Sequence, residues 1–297
     1  MRQFILENQS VKNGLVTLEG KDFRYLRQVL RVKIGDMVNL RLPEGSLQNS
    51  TVVKIDDKAK KISLQFCANS SAEKSVTRGV QSSEIEGKLP NIEYWLFQFI
   101  PRPQKLEQIV RQATECGVAK IVPVIGEYSE KSSIYALEGN EKDRLERIIK
   151  EARQQSGSPV DTCILPPQTL EEAIESWNNS FCENEDCPAS GCVDTDCRAG
   201  DSENGGRANT TCQASEKLAF VLSERDDCSD NLKKILAENP NAKKIAIAVG
   251  SEGGISPEEV ALLQEKGLFY PIHFTVNILR CETAALYGIA AVQSAIN

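Results

Sequence analysis

The sequence lacks long apolar runs and an apolar N-terminal stretch, and these two absences argue against a membrane-spanning protein and a secreted one. No uninterrupted apolar stretch approaches the ~20 residues that a bilayer-spanning helix requires. The first ten residues, MRQFILENQS, lack the apolar centre of a secretion signal. We therefore expect a cytoplasmic protein with no membrane segment. Its 297 residues suffice for one large domain or two ordinary ones.

Histidine is also scarce, since it occurs only as His273, within the apolar run FYPIHFT. That setting is typical of a core or rim residue and less so of a catalytic base. Cysteine is abundant by contrast, and four of the ten recur at every fifth residue, as Cys182, Cys187, Cys192 and Cys197. No histidine accompanies them, and their spacing only just reaches that of common metal sites. We expect an acidic, low-complexity insertion over residues 180–216 and no metal, with a metal or redox role as the alternative.

The net charge of −7 comes almost entirely from that insertion. Residues 182–216 contain eight acidic and two basic side chains, whereas residues 1–35 contain seven basic and three acidic ones. At physiological salt, screening limits the electrostatic effect of a surface charge to about 10 Å. Local charged patches therefore decide which partners are attracted. The acidic total therefore does not exclude nucleic acid, and the basic N-terminal segment suits it.

The first 67 residues predict a small β-barrel with a basic helix at its rim. LVTLEG, MVNLRL, STVVKIDD and KISLQFCA alternate or are β-branched, and turn residues separate them. One helical piece, KDFRYLRQVLRV, interrupts the strands. Its apolar stripe is Phe23, Leu26 and Leu30, and its basic stripe is Arg24, Arg27 and Arg31. The arginines are either a solvated face or contacts to an RNA backbone, and the pattern leaves both open.

A polar, Ser- and Gly-rich linker over residues 68–90 separates this part from a second pattern. From residue 91 onward, apolar strands such as NIEYWLFQFI, KIVPVI, KLAFVL and KKIAIAV alternate with amphipathic helices. This alternation predicts a parallel sheet that helices cover on both faces. In such sheets the ligand binds beyond the carboxyl ends of the strands.

The stretch AVGSEGGISPEEV lies at one of these carboxyl ends. Its glycines, at 250–254, are followed by Ser256 as a helix N-cap, with Pro257 and Glu259 completing the helix start. The phosphate-binding lysine of a P-loop is absent, and Glu252 would repel a phosphate. A neutral or cationic ligand, such as the sulfonium compound S-adenosylmethionine, suits this loop better. The alternative is that the glycines only form a tight turn and bind no ligand.

The final stretch, NILRCETAALYGIAAVQSAI, begins with polar residues and continues as an almost uncharged helix of small residues. A helix of this composition is buried or forms an interface. Arg280 and Glu282 stand at its start, beside a buried segment, and therefore need partners or a ligand.

Five stretches together resemble one family. GSEGGISPEEV and NILRCETAALYG are similar to the paired signatures of the SPOUT-superfamily methyltransferases that modify N3 of a uridine in 16S rRNA. Supporting matches are YLRQVLRVKIGD, QATECGVAKIVPV and EARQQSG. Their order and spacing span most of the chain outside the acidic insertion.

This resemblance implies two domains in an α/β protein. Residues 1–75 would form a PUA-like β-barrel domain that binds RNA. Residues 90–297 would form a SPOUT domain, whose parallel sheet carries a trefoil knot. The acidic insertion would interrupt this domain. The active form would be a homodimer, and the partner would be 16S rRNA in the small ribosomal subunit.

The resemblance also implies roles for particular residues. S-adenosylmethionine would lie in the knot, held by Leu222, Ser223, Gly250, Ser251, Glu252, Gly253, Gly254, Thr275, Ile278, Leu279 and Thr283. Arg280 and Glu252 would be catalytic, with Arg280 stabilising the base or orienting its phosphate. Glu252 would either favour the sulfonium charge or accept the proton. RNA would contact Arg2, Arg24, Arg27 and Arg31.

Several positions depart from the family pattern. Ser251 replaces a proline, Thr275 replaces a glycine, and Ser158 stands where an arginine is common. Two alternatives therefore stay open beside the uridine-N3 activity. One is a SPOUT enzyme with another target atom, such as a ribose 2′-OH. The other is a catalytically silent protein that binds rRNA without the cofactor.

Overall fold

The computed structural model describes residues 3–6, 11, 14–43, 45–67, 92–138, 141–180, 216–223, 232–274 and 277–296. Several sequence predictions fall on residues outside these ranges. They concern the linker over residues 68–90, the insertion except for its ends at Ser180 and Glu216, and the site residues Arg2 and Thr275.

The first part of the chain forms a five-stranded sheet in the order β1-β3-β4-β5-β2. The strands are β1 (Gln3–Ile5), β2 (Leu15–Glu19), β3 (Met37–Arg41), β4 (Leu47–Asp56) and β5 (Lys61–Phe66). All neighbours pair antiparallel except β1 and β3. The predicted strands correspond to β2–β5, and their alternating side chains, such as Val16 and Leu18, fill one apolar cluster. The strand β1 is too short to show alternation and was not predicted.

The predicted helix over residues 21–32 is wrong in detail. Only α1 (Gly20–Arg24) is α-helical, and a π-helical turn (Tyr25–Val29) follows it. The Leu30 N–H donates to the Tyr25 carbonyl at 3.0 Å, five residues back, and Arg31 ends the segment with φ 54°. Phe23 and Leu26 are still buried against the sheet. Their packing there takes precedence over the regular α-helical period of this segment.

The second part of the chain forms a parallel sheet in the order β12-β10-β11-β6-β7-β8, with β9 paired to β7. Its strands are β6 (Glu93–Phe99), β7 (Val118–Ile125), β8 (Cys163–Ile164), β9 (Gln168–Thr169), β10 (Lys217–Leu222), β11 (Lys244–Val249) and β12 (Phe269–Ile272). All six residues of β11 are buried, as expected for a strand that is covered on both faces. The parallel sheet was predicted, whereas β8, β9 and β12 were not.

Seven helices of the described chain accompany this sheet. They are α2 (Pro103–Glu115), α3 (Lys131–Glu138), α4 (Glu141–Ser156), α5 (Leu170–Asn178), α6 (Leu232–Glu238), α7 (Pro257–Gly267) and α8 (Cys281–Ile296). The predicted capping box of α7 forms at Ser256, and α5 begins with a second capping box at Thr169. The helix α7 ends at its C-cap residue Leu268, whose backbone is left-handed, with φ 54°. None of the helices in the described residues is both long and apolar enough to cross a membrane.

The helices cover the sheet over two separate apolar clusters. One contains Ile109 and Val110 of α2 and Ile289 of α8, together with side chains from every central strand. The other, on the opposite face, is aromatic: the rings of Phe97 and Phe269 lie 5.4 Å apart, as do those of Trp95 and Trp177. These clusters fix the strand ends that carry the loops described next.

Replacing Phe97 by alanine tests the aromatic cluster. Phe97 is fully buried and contacts three other rings, so Phe97→Ala should lower the free energy of unfolding by about 3–5 kcal/mol. Denaturant titration measures this loss. Tyr135→Ala is the control, because Tyr135 is 73% exposed, and equal losses in the two variants would contradict the packing described.

Candidate functional site

The glycine loop leaves the sheet at the carboxyl end of β11, beside the end of β6. There the Gln98 side-chain amide donates to the carbonyls of Phe99 at 2.9 Å and Gly250 at 3.1 Å. Its Oε1 atom is buried and accepts no hydrogen bond in the described part of the chain. Gln98 was not singled out from the sequence, although a glutamine inside the apolar strand EYWLFQF is a signal that could have found it.

The loop itself is too compact for side chains at two of its glycines. A Cβ on Gly250 would lie 2.7 Å from the carbonyl carbon of Gly254, and one on Gly253 would lie 2.6 Å from Cβ of Tyr128. The buried Ser251 donates its hydroxyl to the Tyr128 carbonyl at 2.9 Å. The loop is therefore held in one conformation, and its backbone can approach a ligand closely.

Lys105 of α2 joins the loop to the start of α8. Its Nζ atom lies 3.6 Å from Oε1 of Glu252 and 3.3 Å from Oε2 of Glu282. The backbone N–H of Arg102, at the N-terminus of α2, also donates to Glu252 at 3.3 Å. Sequence reasoning missed Lys105, because no local pattern shows that a helical lysine meets two carboxylates from later segments.

Burial and charge act in opposite directions on this cluster. Burial works against the charge of Lys105, but its hydrogen bond to Glu282 and the nearby negative charges outweigh burial and raise its pKa. Burial likewise opposes the charge of Glu282, yet hydrogen bonds from its own backbone N–H, from Cys281 and from Lys105 lower its pKa. One ammonium thus sits between two carboxylates, which leaves the cluster with a net negative charge.

Leu222 and Ser223, which were predicted to hold the cofactor, lie at the same edge of the sheet as the glycine loop. Leu222 ends β10, and a Cβ on Gly288 of α8 would lie 2.8 Å from its Cδ1 atom, so strand and helix pack closely. Ser223 follows Leu222, and its N–H donates to the Ile272 carbonyl of β12. Because β12, β10, β11 and β6 are neighbours, their carboxyl ends bring these loops to one edge of the sheet.

The segment before α8 is the most exposed part of the site. Ile278 is 80% exposed, Leu279 is half-buried and Arg280 is exposed. The Arg280 carbonyl accepts the backbone N–H groups of Thr283 and Ala284, so Arg280 is anchored through its backbone at the helix start. Thr283 lies exposed in the first turn of α8. These exposed side chains are accessible to a large partner that approaches from the solvent.

His273 follows β12, and Arg24, Arg27 and Arg31 lie in the first part of the chain. The Nδ1 atom of His273 lies 3.2 Å from the Ser223 carbonyl, as suits a rim residue. Arg24 and Arg31 are exposed beside the first sheet, and Arg27 forms a salt bridge with Asp57 at 3.1 Å. In the described residues, no group of histidine, cysteine, aspartate and glutamate side chains could hold a metal ion.

Comparison with known proteins identifies the family. The family model described as "RNA methyltransferase domain" matches residues 88–190 and 207–293, more than half of the chain. The chain belongs to the RNA methyltransferase domain family. The match includes the glycine loop, Lys105 and the start of α8.

Two curated relatives of this RNA methyltransferase are named for ribosomal RNA. The "ribosomal RNA small subunit methyltransferase E 2" of Borreliella burgdorferi is 27% identical over 98% of this chain and 96% of its own. The "ribosomal RNA small subunit methyltransferase E" of Aquifex aeolicus is 30% identical over 68% of this chain and 69% of its own.

A solved structure shows the same fold. The methyltransferase E of Neisseria gonorrhoeae, described as bound to S-adenosyl methionine, matches with a TM-score of 0.67 at 22% identity, over 99% of this chain and 97% of that one. This likeness confirms the predicted α/β fold of the SPOUT type, in which a curled N-terminal sheet precedes the parallel one.

The reactivity of Cys281 tests the charge cluster. Burial, followed by the hydrogen bond to Glu282, raises the pKa of this thiol to about 12. Only thiolates react with iodoacetamide, so roughly one Cys281 in ten thousand is reactive at pH 8, and the labelling rate should rise about tenfold for each pH unit up to pH 11. Peptide mass spectrometry after timed labelling measures this. Comparable labelling at pH 8 of Cys281 and the exposed Cys67 would contradict the described environment.

Proposed function

We propose that this protein transfers a methyl group from S-adenosylmethionine to N3 of a specific uridine in the 16S rRNA of the small ribosomal subunit. The observation that carries the proposal is the Borreliella burgdorferi relative, named as a small-subunit rRNA methyltransferase, which matches almost the whole chain. The uridine-N3 specificity rests on the resemblance of the glycine loop and the stretch before α8. Because the proposed substrate is ribosomal RNA, we also propose that the protein is located in the cytoplasm.

The features of the loop support a sulfonium cofactor. Gly250 and Gly253 leave backbone exposed where side chains would collide, and the buried Oε1 of Gln98 offers a hydrogen-bond acceptor beside the loop. The carboxylates of Glu252 and Glu282 exceed the single charge of Lys105, which suits a cation. We propose that the loop, Leu222, Ser223, Thr275 and the segment from Ile278 to Thr283 hold the cofactor.

The reaction makes a clear demand on the protein. When bound, S-adenosylmethionine supplies an electrophilic methyl group, whereas N3 of uracil carries a proton and its lone pair is delocalised into the ring. The proton must leave N3, and the developing anion must be stabilised. The contacts of Glu252 with Arg102 and Lys105 both use Oε1, so we assign Oε2 to accept this proton or to face the sulfonium.

Arg280 is the group proposed to stabilise the anion or to orient a phosphate of the RNA. A guanidinium is always charged and presents a planar set of donors, which suits either task. The exposed position of Arg280, directly before Cys281 and Glu282, supports access from the RNA side. Its role is independent of Lys105, whose ammonium is already shared by two carboxylates.

We propose that residues 1–75 form the RNA-binding domain and residues 90–297 the methyltransferase domain. Exposed Arg24 and Arg31 support this role, as does the strongly basic segment to which Arg2 belongs. The ion pair of Arg27 with Asp57 is largely exposed and contributes little stability, so a phosphate can replace the carboxylate.

The proposed active form is a homodimer that pairs through α8. Along this helix Thr283, Tyr287, Ala290 and Ser294 are exposed, and no charged residue follows Glu282. An exposed stripe of small and aromatic side chains without charge suits a self-complementary interface.

Methyl transfer to unmethylated small ribosomal subunits tests the function directly. Labelled S-adenosylmethionine and nucleoside analysis of the 16S rRNA should yield 3-methyluridine. A 2′-O-methylated nucleoside would assign another target atom. Binding to the subunits without transfer, together with no heat on titration of S-adenosylmethionine, would replace the proposal by a silent rRNA-binding protein.

Arg280→Ala should strongly slow methyl transfer and leave the fold intact, because its exposed side chain is proposed to act on the RNA and does not belong to the core. Loss of one such stabilising group costs on the order of 10²–10³ in rate. Initial rates and thermal unfolding measure the two effects. Arg147→Ala, exposed on α4, is the matched control, and wild-type activity in Arg280→Ala would remove Arg280 from the catalytic group.

Ala290→Glu should convert the dimer to a monomer, because a charge at the centre of the exposed stripe of α8 cannot be buried unpaired. Sedimentation velocity measures the assembly state. Gln264→Glu, exposed on α7, adds the same charge elsewhere and should leave the dimer intact. A wild-type protein that sediments as a monomer at micromolar concentration would refute the homodimer.

A further inference from the structure

An exposed aromatic side chain, Tyr128, lies directly against the glycine loop. It belongs to the turn that follows β7, at the carboxyl edge of the parallel sheet. Its carbonyl accepts a hydrogen bond from the Ser251 hydroxyl at 2.9 Å, and a Cβ on Gly253 would lie 2.6 Å from its Cβ and 2.9 Å from its Cγ. Glu252 stands between these two loop residues. Tyr128 therefore contacts the loop on both sides of Glu252.

The turn that carries Tyr128 is held by several hydrogen bonds. The Gly126 N–H donates to the Ser129 hydroxyl at 2.9 Å, and the Ser129 N–H donates back to the Gly126 carbonyl at 3.1 Å. The Glu127 N–H donates to Oε1 of Glu259 on α7 at 2.7 Å. The backbone is therefore already ordered, and only the two χ angles of the tyrosine lose freedom when its ring binds a flat partner.

The ring of Tyr128 is available to such a partner. Tyr128 is 46% exposed, although one edge of its ring rests on Gly253. None of the aromatic ring pairs among the described residues includes Tyr128, and neither of the cation–π contacts found there does. An aromatic face that is open to solvent beside the proposed cofactor loop suits a ligand with a flat ring of its own.

The proposed reaction requires a substrate of this shape. N3 lies on the base-pairing edge of uracil, so the target base must be unpaired before it is methylated. An unpaired and unstacked base exposes two flat faces to water, and proteins that bind single-stranded RNA cover such faces with aromatic rings. The lone pair of a deprotonated N3 lies in the plane of the ring, so the methyl group approaches in that plane. A side chain stacked on one face therefore does not obstruct the transfer.

We propose that the ring of Tyr128 stacks on the target uracil and presents its N3 atom to the glycine loop. The inference rests on the proposed function, since that function requires an unpaired uracil. It makes Tyr128 a substrate-binding residue that acts on the face of the base, whereas Arg280 and Glu252 are proposed to act on its charge and its proton. The hydroxyl of Tyr128 is not needed for this role, because stacking uses the ring alone.

Two substitutions at Tyr128 separate stacking from support of the loop. Tyr128→Phe keeps the ring. Tyr128→Leu keeps carbon atoms at Cβ and Cγ against Gly253 and the carbonyl that Ser251 contacts, but it has no aromatic face. In methyl transfer to unmethylated small ribosomal subunits, Tyr128→Leu should lower kcat/KM roughly 5- to 150-fold, as expected for the loss of one base–aromatic stack. The conservative Tyr128→Phe should rescue most of that loss. Tyr135→Ala removes a ring that is 73% exposed on α3 and is the control.

Photocrosslinking provides a second readout that does not depend on methyl transfer. Small subunits are reconstituted with 16S rRNA that carries 5-iodouridine in place of uridine and are irradiated in complex with the protein. Iodouridine joins preferentially to an aromatic ring stacked on it, with loss of hydrogen iodide, and peptide mass spectrometry locates the joined residue. The crosslink should fall on residue 128 in the wild type and in Tyr128→Phe, and it should be lost in Tyr128→Leu.

The outcomes distinguish this role from the proposed function. A crosslink at residue 128, a lower kcat/KM in Tyr128→Leu and an unchanged heat of S-adenosylmethionine binding support stacking. Equal kcat/KM in Tyr128→Leu and the wild type, or crosslinks only at other residues, overturn it. A reduced heat of S-adenosylmethionine binding in Tyr128→Leu also overturns it, in favour of a role in supporting the loop. Absence of methyl transfer by the wild type would refute the proposed function, and the crosslink would still decide whether a uracil stacks on Tyr128.

Discussion

The ammonium group of Lys105 connects three parts of the chain that are far apart in sequence. Glu252 belongs to the glycine loop and Glu282 to the start of α8, and both carboxylates lie within 3.6 Å of the same Nζ atom. Without that charge, the two carboxylates would repel each other and push the loop away from the helix. The same interaction holds Glu252 at the N-terminus of α2, where the helix dipole favours a negative charge. The proposed cofactor site therefore depends on a salt bridge between segments rather than on the loop alone.

Local signals were sufficient for much of the fold. Alternation predicted β2–β5, and the apolar runs of β6, β10 and β11 predicted a parallel sheet. The capping box at Ser256 was identified because its signature lies within four residues of sequence. The glycine loop and the start of α8 could be recognised for the same reason. Each of these features is determined by residues that are neighbours in the chain.

Features that depend on contacts between distant residues could not be predicted from the sequence. The π-helical turn at Tyr25–Val29 forms because Phe23 and Leu26 pack on the sheet, which no local propensity reveals. Gln98 and Lys105 acquire their partners only after the strands and helices have assembled. The short strands β8 and β9 have two residues each and carry no periodicity. Gln3 likewise accepts a hydrogen bond from Arg41 and donates to the Arg153 carbonyl, and no local pattern reveals these contacts.

Lys105 and Cys281, the first residue of α8, are separated by 176 residues, and this separation has a consequence for synthesis. On the ribosome, α2 is synthesised long before the glycine loop and α8, so Lys105 meets both carboxylates late. Contacts of such long range close a large loop and are slow to form. A chain that stops before Glu282 contains most of the sheet but lacks the second carboxylate of the cluster. An incomplete chain therefore lacks the full charge cluster that we propose as part of the cofactor site.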